Sequence, residues 1–224
     1  MSHLHIPDGL LPVWLWASGL FVAVVLLVLG SRRGRERSPQ HVAYQGALGG
    51  LMLAAMALPL GPFEYHLTLA GPMGVLLGGT GAFQVAFVVS AILALMGHGG
   101  LTVVGLNALV LGSGAVAAHR VYRAVARRWR PAASLAVGTA AGQAVAGLLW
   151  LAVVGMSLRW TPGAPRHGLR AGGFGAFATL AIPLWIVGIV VESVIAFGLG
   201  RFLARVRPGL LPAAPLARPA PEVA

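Results

Sequence analysis

The residues with the most chemistry to offer come first. Met1-Ser2-His3-Leu4-His5-Ile6-Pro7-Asp8-Gly9 puts two imidazoles within five residues of an amino terminus. A terminal amine, the backbone amides that follow it and an early imidazole can wrap one metal ion in linked chelate rings. A nitrogen set of that kind suits Ni(II) or Cu(II), and Co(II) less strictly. With Met1 retained, Met1, Ser2 and His3 supply an amine, two amides and an imidazole. With Met1 removed, Ser2 and His3 supply three nitrogens, and a further histidine fills the fourth place. Such ligands compete with protons for the metal, so binding weakens as pH falls. Ile6-Pro7-Asp8-Gly9 is a turn signal, and an extended residue before proline helps fold the first five residues back. Asp8 suits the turn itself, and it also suits accepting an imidazole N–H to orient a ligand.

What must position this segment is a membrane bundle. The chain has 224 residues, 58% hydrophobic and 9% charged, with a mean hydropathy of +0.84, whereas a soluble domain is about a quarter charged. The net charge of +11 comes from sixteen arginines and no lysine against five acids. These arginines cluster between apolar runs, which is a pattern of cytoplasmic loops rather than of nucleic-acid binding. Cysteine is absent, which excludes disulfides and thiolate chemistry.

Apolar runs at about 11–30, 42–60, 67–79, 81–97, 101–122, 133–157 and 174–204 predict an all-α integral membrane protein with seven transmembrane helices. Residues 1–10 form the N-terminal metal-binding segment, 11–207 the transmembrane domain and 208–224 a disordered, Pro/Ala-rich cytoplasmic tail. The first positive charge follows the first run rather than preceding it. That run is therefore expected to stay uncleaved, with the N-terminus outside. The Gly78-Gly79-Thr80-Gly81 break separates the third span from the fourth. Seven spans put thirteen arginines inside and Arg159, Arg166 and Arg170 outside, with the C-terminus cytoplasmic. Gly46/Gly50, Gly74/Gly78 and Gly138/Gly142 are spaced for close helix packing.

This topology gathers His3, His5, His66 in Gly61-Pro62-Phe63-Glu64-Tyr65-His66, and His98 in Gly97-His98-Gly99-Gly100 at the outer mouth. His98 and Asn107 suit either support of the metal site or satisfaction of backbone groups at a helix break. His41 and His119 fall among arginines at the inner face and are read as snorkelling or lipid-headgroup residues, and His167 as a solvated loop residue. Glu64 is read as an interface residue ahead of a metal ligand, and Glu192, deep in the last span, as a structural hydrogen-bonding group or a contact to another subunit. Met52, Met56, Met73, Met96 and Met156 are read as packing.

Together, His5-Ile6-Pro7-Asp8-Gly9 before an apolar helix, Gly97-His98-Gly99-Gly100-Leu101-Thr102 with Gly105 and Asn107, and a last span through Glu192-Ser193-Val194-Ile195 to Arg205-Val206-Arg207-Pro208 resemble the CbiM/NikM family. The resemblance covers residues 3–210. It implies the substrate-binding membrane (S) component of a cobalt or nickel energy-coupling-factor (ECF) transporter in the plasma membrane. It also implies a transmembrane coupling (T) subunit, ATP-binding cassette ATPases and a small accessory membrane subunit as partners. Co(II) or Ni(II) is then transported substrate, with no cofactor. In that family the terminal amine, an early histidine and a loop histidine, matched here by His66, hold the metal. The family's Met lies directly before the His of His-Ile-Pro, where this chain has Leu4. His5 therefore matches by motif and His3 by chelate position. The alternatives are an intramembrane metalloenzyme, which lacks His-Glu-x-x-His and Gly-x-Ser-x-Gly patterns here, and a membrane metal sensor.

Overall fold

The structure, a computed structural model, describes residues 6, 8–9, 11–33, 38–59, 65–160 and 173–212. Met1, Ser2, His3, His5, Glu64 and His167 lie outside these residues, as does the tail beyond 212. Six helical elements make up the described chain: α1 (Val13–Arg33), α2 (Pro39–Ala57), α3 (Ala70–Leu95), α4 (Val104–Val125), α5 (Pro131–Trp160) and α6 (Gly173–Val206). Five of them, all but α2, are long and apolar enough to cross a membrane.

Local chemistry sets the helix starts. Pro12 ends its own extended stretch by accepting Leu15 and Trp16 N–H groups at 3.0 and 3.3 Å. Ser38 caps α2 through the His41 N–H, with Pro39 in the first turn where a missing N–H costs nothing. Pro131 opens α5 in the same way. α4 is the centre of the bundle: 61% of its apolar window is buried, against 17% for α1 and for α6. The rim helices turn Phe21, Leu29, Val187, Val194 and Phe202 outward, as lipid-facing helices must.

α3 is not one rod. A straight helix of its 26 residues would be about 39 Å long, yet His66, just before it, and His98, just after it, have ring centroids 5.7 Å apart. The chain reverses at Gly78, whose φ of 71° and ψ of 167° lie in a region essentially reserved for glycine. The expected third and fourth spans are thus two helical arms that meet at the non-helical Gly78. The expectation of a helix from 67 also needs correction: residues 66–69 are not helical, and the helix begins at Ala70 after Leu69 in a left-handed conformation, φ 50°. Leu67, Thr68 and Leu69 alternate apolar and polar, which is the period of a strand.

The arginine-bearing ends converge. Gly30 of α1 lies against Thr80 at the α3 reversal, and Gly200 of α6 against Ala132 and Leu135 at the start of α5. At the opposite end, Leu11, Leu15, Val103, Leu106 and Val153 pack around Ile6. The expected small-residue contacts hold in part. A Cβ at Gly74 would strike the Ala115 backbone, and Cβ atoms at Gly138 and Gly142 would meet the carbonyls of Ala118 and Gly114 at 2.9 and 2.6 Å. Gly46 and Gly50 face open space, so that pair packs no helix here. Of the tail expected to be disordered from 208, Pro208–Leu210 form a short 3-10 turn.

Candidate metal centre

At the end of the bundle opposite the arginines, two side chains draw the N-terminal segment in. Ile6 is fully buried. Its N–H donates to Asn107 Oδ1 at 2.9 Å, and its carbonyl accepts from Asn107 Nδ2 at 3.3 Å. Asn107 is itself buried in the first turn of α4. Asn107, whose sequence reading lay between support of the metal site and satisfaction of backbone at a helix break, is thus a clamp on Ile6.

Asp8 makes the second attachment. Its carboxylate accepts the Leu101 N–H at 2.8 Å, the Thr102 N–H at 3.0 Å and the Thr102 hydroxyl. The Thr102 hydroxyl leads in holding Asp8 below its ordinary carboxylate range; slight burial opposes it, and the two backbone N–H groups reinforce it. Gly9, at φ 79°, completes the turn that the Pro-Asp-Gly signal predicts. Gly100 must be glycine for a different reason: a Cβ there would overlap the Asp8 carboxylate and backbone. The carboxylate thus serves the loop at 100–102, and a bond from it to an imidazole is not among its described contacts.

His66 lies on the extended stretch ahead of α3 and is 8% exposed. Its Nδ1 donates to the Met56 carbonyl at 2.6 Å; a carbonyl can only accept, so Nε2 carries the lone pair in the neutral ring. That fixed tautomer is what a ligating imidazole needs. His98 stands next to it, in a loop whose Gly97 and Gly99 have φ of 82° and 91°. Among the described residues no group of three or more His, Asp or Glu side chains is arranged to hold a metal. His66 and His98 are two imidazoles at one mouth of the bundle.

Beneath His66 lies a carboxyl whose surroundings cannot be read from sequence. Glu192 on α6 is 1% exposed. It accepts the Thr68 N–H at 2.5 Å and the Leu69 N–H at 3.2 Å. The Tyr65 and Thr68 hydroxyls and the Gln143 amide lie beside it, and Gln143 Nε2 donates to the Thr68 hydroxyl at 2.6 Å. Burial, with the Glu192 charge and hydrogen bond adding to it, pushes the Tyr65 phenol above its ordinary range. The structural reading of Glu192 therefore fits, with residues 65–69 as its partner.

The other histidines part company. His41 sits at the arginine end, lining a cavity of about 500 Å³ with Ser38 and Gly78–Gly81. His119 does not snorkel toward solvent. Its ring lies beside the backbone at Gly74 and Val75, and its buried Nδ1 has no hydrogen-bond partner among the described residues. Met52, Met56 and Met73 are core, as expected, while Met96 is exposed and Met156 lies at the boundary.

The family model for CbiM, described as the cobalt uptake substrate-specific transmembrane region, matches residues 5–210. The chain belongs to this family. A cobalt transport protein CbiM of Geobacter sulfurreducens is 31% identical over 226 residues, covering 93% of this chain and 61% of that protein. A protein of Methanocorpusculum labreanum named as a fused cobalt transport protein CbiMQ is 26% identical, over 92% of this chain and 36% of its own length. This CbiM-family chain therefore spans about three fifths of one relative's length and about a third of the other's. Two solved structures of a transition metal transporter, one truncated, superpose with TM-scores of 0.78 and 0.76 at 20% identity. They cover 90% and 89% of this chain and 93% and 97% of theirs, and show a shared fold. The family and its helices make this a multi-pass membrane protein of a transport family, and its named relatives are transporters rather than enzymes.

Proposed function

We propose that this chain is the substrate-binding membrane subunit of an ECF-type transporter and captures Co(II) or Ni(II) outside the cell. The observation that carries the reading is the double attachment of Ile6 and Asp8 to the α3–α4 corner, the same corner that brings His98 beside His66. In this reading the amine and amides of the N-terminal segment, with His3 or His5, complete a nitrogen set around the His66 Nε2. The cobalt-related names of its relatives support the cargo.

The orientation follows from charge. With the arginine end cytoplasmic and the Ile6 end outside, the chain obeys the positive-inside rule, and α3 contributes two crossings through its reversal at Gly78. Energy for inward release comes from ATPases acting through a coupling membrane subunit; the fused CbiMQ relative supports a membrane partner of that kind. The test is calorimetry on protein with an unmodified terminus. His66→Ala, and separately acetylation of the terminus, should each abolish tight Co(II) and Ni(II) binding. Unchanged affinity in both would sink the proposed site.

A further inference from the structure

We propose that Glu192 is a positioning residue for metal capture: from α6 it holds the strand 65–69 in the shape that presents His66. This deepens the metal-capture reading above and rests on it. Two backbone N–H groups bond one buried carboxyl, with two hydroxyls and an amide close beside it. All but the Gln143 amide belong to residues 65–69. Those residues form the stretch in which α3 has not yet begun, so their N–H groups have no helical partners and sit inside the bundle. A side chain must take them, since an unpaired peptide group there is expensive.

The strain on the strand points the same way. Leu69 is the one non-glycine residue with positive φ among the described residues, a conformation that persists only when the surroundings impose it. Glu192 accepts its N–H. On α6, Gly188 and Glu192 stand one turn apart on the same face. The Tyr65 ring lies against the place a Gly188 Cβ would occupy, and Ile195 packs on the core that includes Leu69. α6 is otherwise a rim helix, so this face ties a lipid-exposed helix to the metal mouth. The carboxyl touches no metal; it sets where the imidazole points. Glutamine at this position would turn an amide N–H₂ toward at least one of the N–H donors and release the strand.

The experiment uses the full chain with its native terminus, purified in detergent, titrated with Co(II) and followed by its visible spectrum. Glu192→Gln should weaken Co(II) binding by about tenfold or more, the range seen when groups that orient a ligand are lost. Glu192→Asp should recover part of that loss. Hydrogen exchange at the amides of 65–69 should accelerate in Glu192→Gln while α4 and α5 stay protected. If Glu192 were only a fold-stabilising residue, the variant would titrate fewer sites at unchanged affinity, and that result overturns the proposal, as does unchanged exchange at 65–69. Should Glu192→Gln not fold, Tyr65→Phe removes one donor and leaves the carboxylate, and must show a smaller loss of affinity in the same direction. Wild-type protein that takes up no Co(II) or Ni(II) counts against the function proposed above, while the exchange comparison still decides whether Glu192 holds the strand.

Discussion

Asn107 treats Ile6 as a neighbouring strand would, giving its side-chain amide N–H to the Ile6 carbonyl and taking the Ile6 N–H on its own oxygen. The two residues are 101 positions apart. One side chain satisfies both polar groups of a fully buried peptide residue, which is why the segment can enter an apolar corner lined by Leu11, Leu15 and Val103.

Asn107→Leu should therefore release the segment. Two buried backbone groups lose their partners, each worth about 1–3 kcal/mol when left unsatisfied. Limited proteolysis near residues 1–10 should accelerate sharply, and metal affinity should drop with it. Asn107→Asp keeps one of the two bonds and should fall between. A protease-resistant Asn107→Leu segment would falsify the clamp.

Gly100→Ala should act on Asp8 from the other side. The added methyl overlaps the Asp8 carboxylate and backbone, so the segment must lift although every helix remains intact. Circular dichroism should be unchanged while Co(II) affinity falls about as far as in Asp8→Ala. The double variant should lose little more than either single one, because both remove one contact. Additive losses would show that the two residues act separately.

Gly78→Ala should strain the reversal of α3. No L-residue adopts φ 71° with ψ 167° comfortably, and the cost is about 1–3 kcal/mol. There is open space for the methyl, so the effect isolates backbone strain from crowding. Thermal unfolding in detergent should move down for Gly78→Ala and stay in place for Gly46→Ala, whose Cβ likewise meets nothing.

Protons should loosen the segment at acid pH even without metal. The folded Asp8 carboxyl titrates below its ordinary value of 3.8, chiefly because of the Thr102 hydroxyl. A depressed carboxylate contributes stability above its unfolded value and loses it as pH falls through the folded value. Hydrogen exchange around Leu101 and Thr102 in metal-free protein should thus be flat above the ordinary carboxylate range and rise below it. Asp8→Asn should remove that acid-dependent step. Metal binding itself should weaken at higher pH than this, because protons compete for the nitrogen ligands.

Local signals in the chain foretell the N-terminal turn, the glycine corner at 97–100 and the membrane class. Ile6-Pro7-Asp8-Gly9 encodes its turn in adjacent residues, and Gly78 marks its reversal with backbone angles that L side chains rarely adopt. Partnerships across the bundle are different. Nothing near Glu192 announces a partner 124 positions away, and His119 sits among arginines in sequence while its ring meets the Gly74–Val75 backbone in space. The alternation Leu67-Thr68-Leu69 does signal an extended stretch, but it is three residues long inside a long apolar run, and hydropathy swamps it. Gly46/Gly50 shows the converse, a packing motif with no helix opposite it.

The reversal at Gly78 also grades the molecule mechanically along its length. The descending arm, residues 70–77, is only about 12 Å of helix, less than half of a hydrocarbon core of about 30 Å. Below Ala70 the bundle resists deformation through a closed ladder of peptide bonds; above it, the same column is a single strand suspended from side chains. The backbone of this column thus passes from helical pairing to pairing with the Glu192 side chain as it approaches His66.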